Sequence, residues 1–128
     1  MPYVYPDVDG LDGHELVGTH QCVALVQAYA KAPRTFDWKQ GVAVRGKLLL
    51  PKGTAIATFE DGAYKSRPHG NHAALYLSQD QGGIWVVDQW AGPGKLNVSK
   101  HYLQFKGADK DGSWKDASNN GDAFSVIE

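Results

Sequence analysis

Two rhythms of apolar residues run along this chain, one helical and one extended. Over residues 20–31 the period is helical. Cys22, Leu25, Val26 and Tyr29 are spaced i, i+3, i+4, i+7 and share one face. Thr19 precedes them as an N-cap whose hydroxyl can accept from first-turn amides, and Pro33 stops the helix. Beyond it, short apolar runs bounded by turn residues predict strands at 54–59, 71–78, 84–90, 101–105 and 123–127. Residues 79–83 join the second and third of these as a glycine-bearing hairpin loop. The stretch 36–44 fits no single period; one reading is a short helix with Trp38 on its buried side. Residues 1–18 read as an irregular lead-in, 60–70 as a turn-rich loop and 107–122 as an exposed polar loop. One helix followed by antiparallel strands is an α+β layout, expected as a single domain over 1–128.

Composition narrows the function classes. The chain has 128 residues, and its 4 Trp, 6 Tyr and 4 Phe supply enough apolar surface for a core. Its 13 basic and 14 acidic residues nearly cancel, which argues against a nucleic-acid footprint. A lone cysteine leaves no internal disulfide and no multi-thiolate zinc site. His14, His20 and His101 are scattered, so neither a metal nor another cofactor is expected. No glycine-rich phosphate loop occurs, and no serine sits in a nucleophile elbow. The opening Met1-Pro2-Tyr3-Val4-Tyr5-Pro6-Asp7 lacks the basic and apolar stretches of a signal peptide. No apolar run approaches the roughly 20 residues of a membrane span. Synthesis in the cytoplasm is expected, and a substrate outside it requires another export route.

The chemistry centres on Cys22. A helix N-terminus stabilises a thiolate through free N–H groups and the helix dipole. A histidine can take the thiol proton, and the cysteine's own amide can donate to an oxyanion. His72 opens a predicted strand, with Ala74 and Tyr76 on its face. His69, in a Pro-Gly loop, is a poorer platform. The hairpin brings His72 opposite residues 88–90, where Asp88 could accept from one ring nitrogen; Gln89 is the second candidate for that role. Trp90, Gln89 and Asn71 flank these groups and are expected to meet substrate. The plainer reading is a buried, inert cysteine on an apolar helix face.

Together these segments resemble the NlpC/P60 and CHAP group of papain-like cysteine peptidases. Gly18 to Val26 is similar to that group's nucleophile helix start, with Gln21-Cys22 resembling its Gly-Gln-Cys opening. Asn71-His72-Ala73-Ala74-Leu75-Tyr76-Leu77 resembles its histidine strand, and Val86-Val87-Asp88 falls where its third polar residue lies. Leu50-Pro51-Lys52-Gly53-Thr54-Ala55-Ile56 resembles its Leu-x-Pro-Gly-Asp-Leu segment, with Thr54 in place of the aspartate. The family's oxyanion-assisting tyrosine has no clear counterpart; Tyr3 and Tyr5 are the candidates. The resemblance covers roughly residues 18–91. It implies a papain-like core, with the nucleophile helix packed on an antiparallel sheet, and cleavage of amide bonds in peptidoglycan stem peptides.

The expected activity is therefore that of a cysteine amidase or endopeptidase working through a thioester: Cys22 attacks, His72 moves the proton and Asp88 orients His72. A small enzyme of this kind resembles the effectors that bacteria inject into rivals through a contractile secretion system, with the periplasm as the place of action and an inhibitor or immunity protein as partner. Two alternatives remain open. One is acyl transfer or deamidation by the same dyad, and the other is a non-catalytic binding or immunity-type module on the same fold.

Overall fold

In the computed structural model, which describes residues 2–128, the helical pattern becomes α1 (Cys22–Ala30). Met1, part of the expected lead-in and domain, lies outside the described residues. The helix starts two residues later than the expected span of 20–31, on the first residue of the apolar series. Thr19 does not cap it: Gly18 to Gln21 form a turn, the His20 N–H donates to the Val17 carbonyl at 2.9 Å, and His20 has φ 71°. Gln21 is the N-cap, in extended backbone, and no side chain accepts from the first turn. At the other end Lys31 enters the left-handed region (φ 64°) and its N–H returns to the Val26 carbonyl, so the chain leaves the helix before Pro33.

Six antiparallel strands form one sheet: β1 (Gln40–Ala43), β2 (Ala55–Thr58), β3 (Ala73–Gln79), β4 (Gly83–Asp88), β5 (Ser99–Gln104) and β6 (Phe124–Ile127), in the order β1-β6-β2-β3-β4-β5. The five expected strands are all there, with ends shifted by one or two residues in either direction. The short helix considered at 36–44 shrinks to one 3-10 turn (Thr35–Asp37), and β1 follows. That edge strand is mostly exposed, so it carries no apolar alternation to betray it. Trp38 is buried as expected, at 4% exposure, and its indole N–H donates to the Pro33 carbonyl at 2.8 Å.

Both faces of the central strands are covered, which is why they read as near-continuous apolar runs. Ala73, Leu75 and Leu77 of β3 pack with Leu25 and Val26 of α1 on one face. Ala74 and Tyr76 pack with Ile84, Val86, Leu103 and Phe124 on the other. The small side chain that meets the helix beside its thiol is therefore Ala73, while His72 shares the opposite face with Ala74. Residues 108–116 are exposed, as expected of the 107–122 loop, and the segment is anchored at its end. Asn120 is fully buried, donates to the Gly107 and Lys115 carbonyls, and accepts from the Lys106 and Asp122 amides.

The lead-in is fastened at Gly53. The Tyr5 N–H donates to the Gly53 carbonyl at 2.9 Å, and the Gly53 N–H donates to the Tyr76 carbonyl at 2.7 Å. Thr54, where the related segment has aspartate, is buried and its hydroxyl closes the turn on the Pro51 carbonyl at 2.6 Å. Gly53 has φ +87°, and a Cβ there would lie 1.8 Å from the Tyr5 carbonyl oxygen. Gly13 has a similar φ of +91° with open space around it. Gly13→Ala is expected to cost about 1–2 kcal/mol in urea unfolding, the left-handed penalty alone. Gly53→Ala is expected to cost clearly more, because backbone must move; equal costs would refute the clamp. Leu25→Ala, at the fully buried helix–sheet contact, is expected to cost about 2–5 kcal/mol in the same assay.

Candidate active site

Three elements converge at the end of the sheet where β3 starts and β4 stops. The helix delivers Cys22 from one face. The backbone just before β3 delivers His72 from the other, pinned by a pair of bonds to Thr58 of β2: the His72 N–H donates to Thr58 Oγ1 and the Thr58 N–H to the His72 carbonyl, each at 3.0 Å. Strand β4 ends on Asp88. Pairing of Leu75 with Val87 sets the register that lets His72 Nε2 reach Asp88 Oδ2 at 2.8 Å. This bond occupies Nε2 and leaves Nδ1 as the ring's other nitrogen.

Electrostatics follow from that placement. Asp88 has no exposure to solvent, and burial alone would push its carboxyl up; hydrogen bonds from His101 and His72 outweigh it and hold the group below the usual carboxylate range. Burial likewise opposes a charged His72, yet bonding to Asp88 and interaction with Cys22 raise its pKa to about 9. Burial pushes the Cys22 thiol up, and hydrogen bonding and charge from His72, with help from Tyr64 and the Ala73 amide, bring it below its ordinary value. The two directions agree: the pair favours thiolate and imidazolium over thiol and imidazole.

Two residues that sequence reasoning missed complete the surroundings. The Tyr64 hydroxyl, from the 60–70 loop, lies 3.7 Å from Cys22 Sγ. Burial, with the neighbouring sulfur, raises its pKa far above that of an ordinary tyrosine, so it stays protonated. Of the two tyrosines considered as the oxyanion-assisting group, Tyr5 packs instead at a tilt against Tyr29 at the far end of α1, with ring centroids 5.0 Å apart, and Tyr3 packs into the helix-side core. Nothing local marks Tyr64, because its loop is placed by tertiary contacts such as the Trp38 ring, 4.8 Å away between centroids. The second missed residue is His101, whose Nδ1 lies 2.8 Å from the same Asp88 Oδ2. Its signal was present in the alternation of β5: His101 pairs with Val86, two residues from Asp88 on the same face.

The residues expected at the substrate divide. Trp90 is 40% exposed, and its ring centroid is 6.5 Å from that of His72. With Asn71, His72 and His101 it lines a cleft of about 350 Å³, whose walls also include Pro68, Ser118 and Asn119. Gln89 goes elsewhere and corrects the expectation of a substrate contact or an imidazole acceptor. It is fully buried; its Oε1 accepts from the Val17 N–H at 2.9 Å, and its Nε2 donates to the Val17 and Gln21 carbonyls at 3.0 and 2.8 Å. It latches the backbone immediately before Cys22 to the end of β4. His69 stays in its exposed loop, where its carbonyl accepts from Arg67. A wider cleft of about 650 Å³ lies between the 58–61 and 111–117 segments, with Arg67 and Trp114 on its walls. Among the described residues, no three His, Cys, Asp or Glu side chains are grouped so as to hold a metal ion, and no helix is long and apolar enough to cross a membrane.

Known proteins share this arrangement of chain. The family described as domesticated amidase effector 2 matches residues 4–127. A type VI secretion amidase effector 2 protein of Salmonella typhi is 44% identical over 133 aligned positions that span all of both chains. Domesticated amidase effector 2 of Ixodes scapularis is 34% identical, covering 95% of this chain and 82% of its own. A solved structure of type 6 secretion amidase effector 2 superposes with a TM-score of 0.91 at 43% identity, over 98% of this chain and 94% of that one.

The charge pairing predicts a pH signature. Iodoacetamide should alkylate Cys22 with an onset below the ordinary thiol range of about 8.5, because the imidazole beside it favours the thiolate. Asp88→Asn removes the carboxylate that raises His72; the imidazolium weakens, and the onset of alkylation should move to higher pH. Labelling of the unaltered protein that rises only through the ordinary thiol range would mark Cys22 as inert.

Proposed function

This chain belongs to the domesticated amidase effector 2 family, and from that premise we propose that it is a cysteine amidase that cuts an amide bond in peptidoglycan stem peptides. What supports the reading is the bond from His72 Nε2 to Asp88 Oδ2 at 2.8 Å, with Cys22 near enough to His72 that the imidazole lowers the thiol's pKa and the sulfur raises that of His72. Cys22 Sγ attacks the scissile carbonyl carbon, and the carbonyl electrons move to oxygen. On collapse the C–N bond breaks, and the leaving amine takes a proton from His72. The resulting thioester is attacked by water, which gives a proton to His72; on collapse the C–S bond breaks, the thiolate leaves beside the restored imidazolium, and the carboxylic acid product loses its proton to solvent. Asp88 fixes the ring so that Nδ1 serves the sulfur.

The Cys22 amide, at the uncapped start of α1, and the Tyr64 hydroxyl are the donors for the developing oxyanion. Trp90 and Asn71 form the walls along which the peptide lies. Names of the Salmonella relative and of the solved structure place them in type VI secretion. The same delivery, with action in the periplasm of a rival cell, is proposed for this chain.

Digestion of purified peptidoglycan followed by mass analysis of the muropeptides tests the reading. The unaltered chain should release products one water heavier at a single amide, and Cys22→Ala should release none; turnover by the alanine variant would name another nucleophile. His72→Ala should cost about 10²–10⁴-fold, and Asp88→Ala less, since orientation contributes less than proton transfer. Tyr64→Phe should lower kcat by about 10²-fold with little change in KM. Above about pH 9, kcat/KM should fall as His72 loses the proton that the leaving amine needs. A profile flat through that region would assign the proton to another group.

A further inference from the structure

Strand β4 ends on a carboxylate with two imidazoles on one oxygen. Asp88 Oδ2 is 2.8 Å from His72 Nε2 and 2.8 Å from His101 Nδ1, while Oδ1 is buried without a hydrogen-bond partner among the described residues. A carboxylate that is buried and bonded through one oxygen can rotate about its Cβ–Cγ bond unless something fixes that oxygen. A single bond to His72 leaves both ring and carboxylate free to swing together. The second bond comes from a different strand and a different direction, so it removes that freedom.

We infer that His101 is a positioning residue: by donating from Nδ1 to Asp88 Oδ2 it keeps the carboxylate ionised and aimed at His72. This inference rests on the proposed site but not on the proposed substrate. Several observations support it. His101 sits diagonally from Asp88 across the β4–β5 pairing, where Val86 faces His101 and Asp88 faces Ser99. Its ring is braced by Trp90, with centroids 5.7 Å apart, and the Lys95 ammonium lies 4.3 Å from the centre of the Trp90 ring. Burial pushes the Asp88 carboxyl up, and the His101 bond is the largest influence bringing it down, ahead of His72. The charged and titratable groups around it are few: Asp88 on β4, His72 before β3, Cys22 of α1 beyond His72, and Lys95 across Trp90. Ser118 and Asn119, on the far wall of the cleft, are uncharged.

The sign follows. Without His101 the buried carboxylate loses one of its two hydrogen-bonding imidazoles and takes up a proton at higher pH. A protonated Asp88 no longer sustains the imidazolium, and the thiolate is lost with it. The acid limb of any reaction of Cys22 should therefore move up in pH.

The experiment compares His101→Ala with His101→Asn, whose amide N–H can replace Nδ1–H as donor to Oδ2. Iodoacetamide labelling of Cys22 against pH reads the three groups without any substrate. Muropeptide release, measured in parallel, reads catalysis. His101→Ala should raise the acid limb of labelling by about one pH unit, the size of one lost charge-assisted bond. It should also lower kcat by about tenfold at neutral pH with KM unchanged. His101→Asn should restore both. His101 is partly exposed, its side chain at 32%, so the variants should fold; thermal unfolding checks this. An unmoved acid limb in His101→Ala, or an asparagine variant as impaired as the alanine one, overturns the positioning role. If the unaltered protein labels as expected but releases no muropeptide, the substrate reading fails while this inference stands.

Discussion

The site depends on one buried negative charge. Asp88 has no exposure to solvent, and an isolated carboxylate in such a place would be neutral. It stays ionised because two imidazoles converge on it, and both can do so only because four strands, β2 to β5, hold their registers. Thr58 pins the His72 backbone, Val87 pairs with Leu75, and Val86 pairs with His101. The charge is thus a result of the packing, and the basicity of His72 is in turn a result of the charge. Breaking any one of these pairings would leave the carboxylate short of a partner and would cost far more than an exposed ion pair contributes.

The helix side shows the same economy of parts. The thiol owes its lowered pKa to His72 first, then to Tyr64 and the Ala73 amide, against a substantial cost of burial. Its position is set by Gln89, which spends its whole amide on the backbone just before Cys22. That buried glutamine does for the loop before Cys22 what a capping side chain does for other helices: it fixes where the first turn begins. A side chain bonded only to backbone therefore decides where the sulfur stands.

Much of this was legible in the sequence, and the remainder was hidden for physical reasons. The apolar period at 22–29 and the five core strands were readable because both sheet faces are buried and the pattern is strong. Cys22, His72 and Asp88 could be singled out because a helix tip, a strand start and a hairpin register are local features. β1 was not legible, since an exposed edge strand such as Gln-Gly-Val-Ala is held by pairing with β6 and not by its own pattern. Thr19 misled because a good cap residue sits in a turn that tertiary contacts had already fixed. Tyr64 reaches the sulfur from a loop 42 positions away, and no spacing rule reports that. Gln89 looked like a site residue because it neighbours Asp88, but strand alternation sends it to the other face.

That alternation has a wider consequence. Sulfur and imidazole meet around the tip of β3, one from each side of a sheet a single backbone thick. Slipping the strand by one position would swap every side chain to the opposite side and carry the ring underneath the helix. Misthreaded molecules would then keep their secondary structure yet lack a reactive thiol, so the chemistry of a single sulfur atom reports whether the whole sheet has been assembled in step.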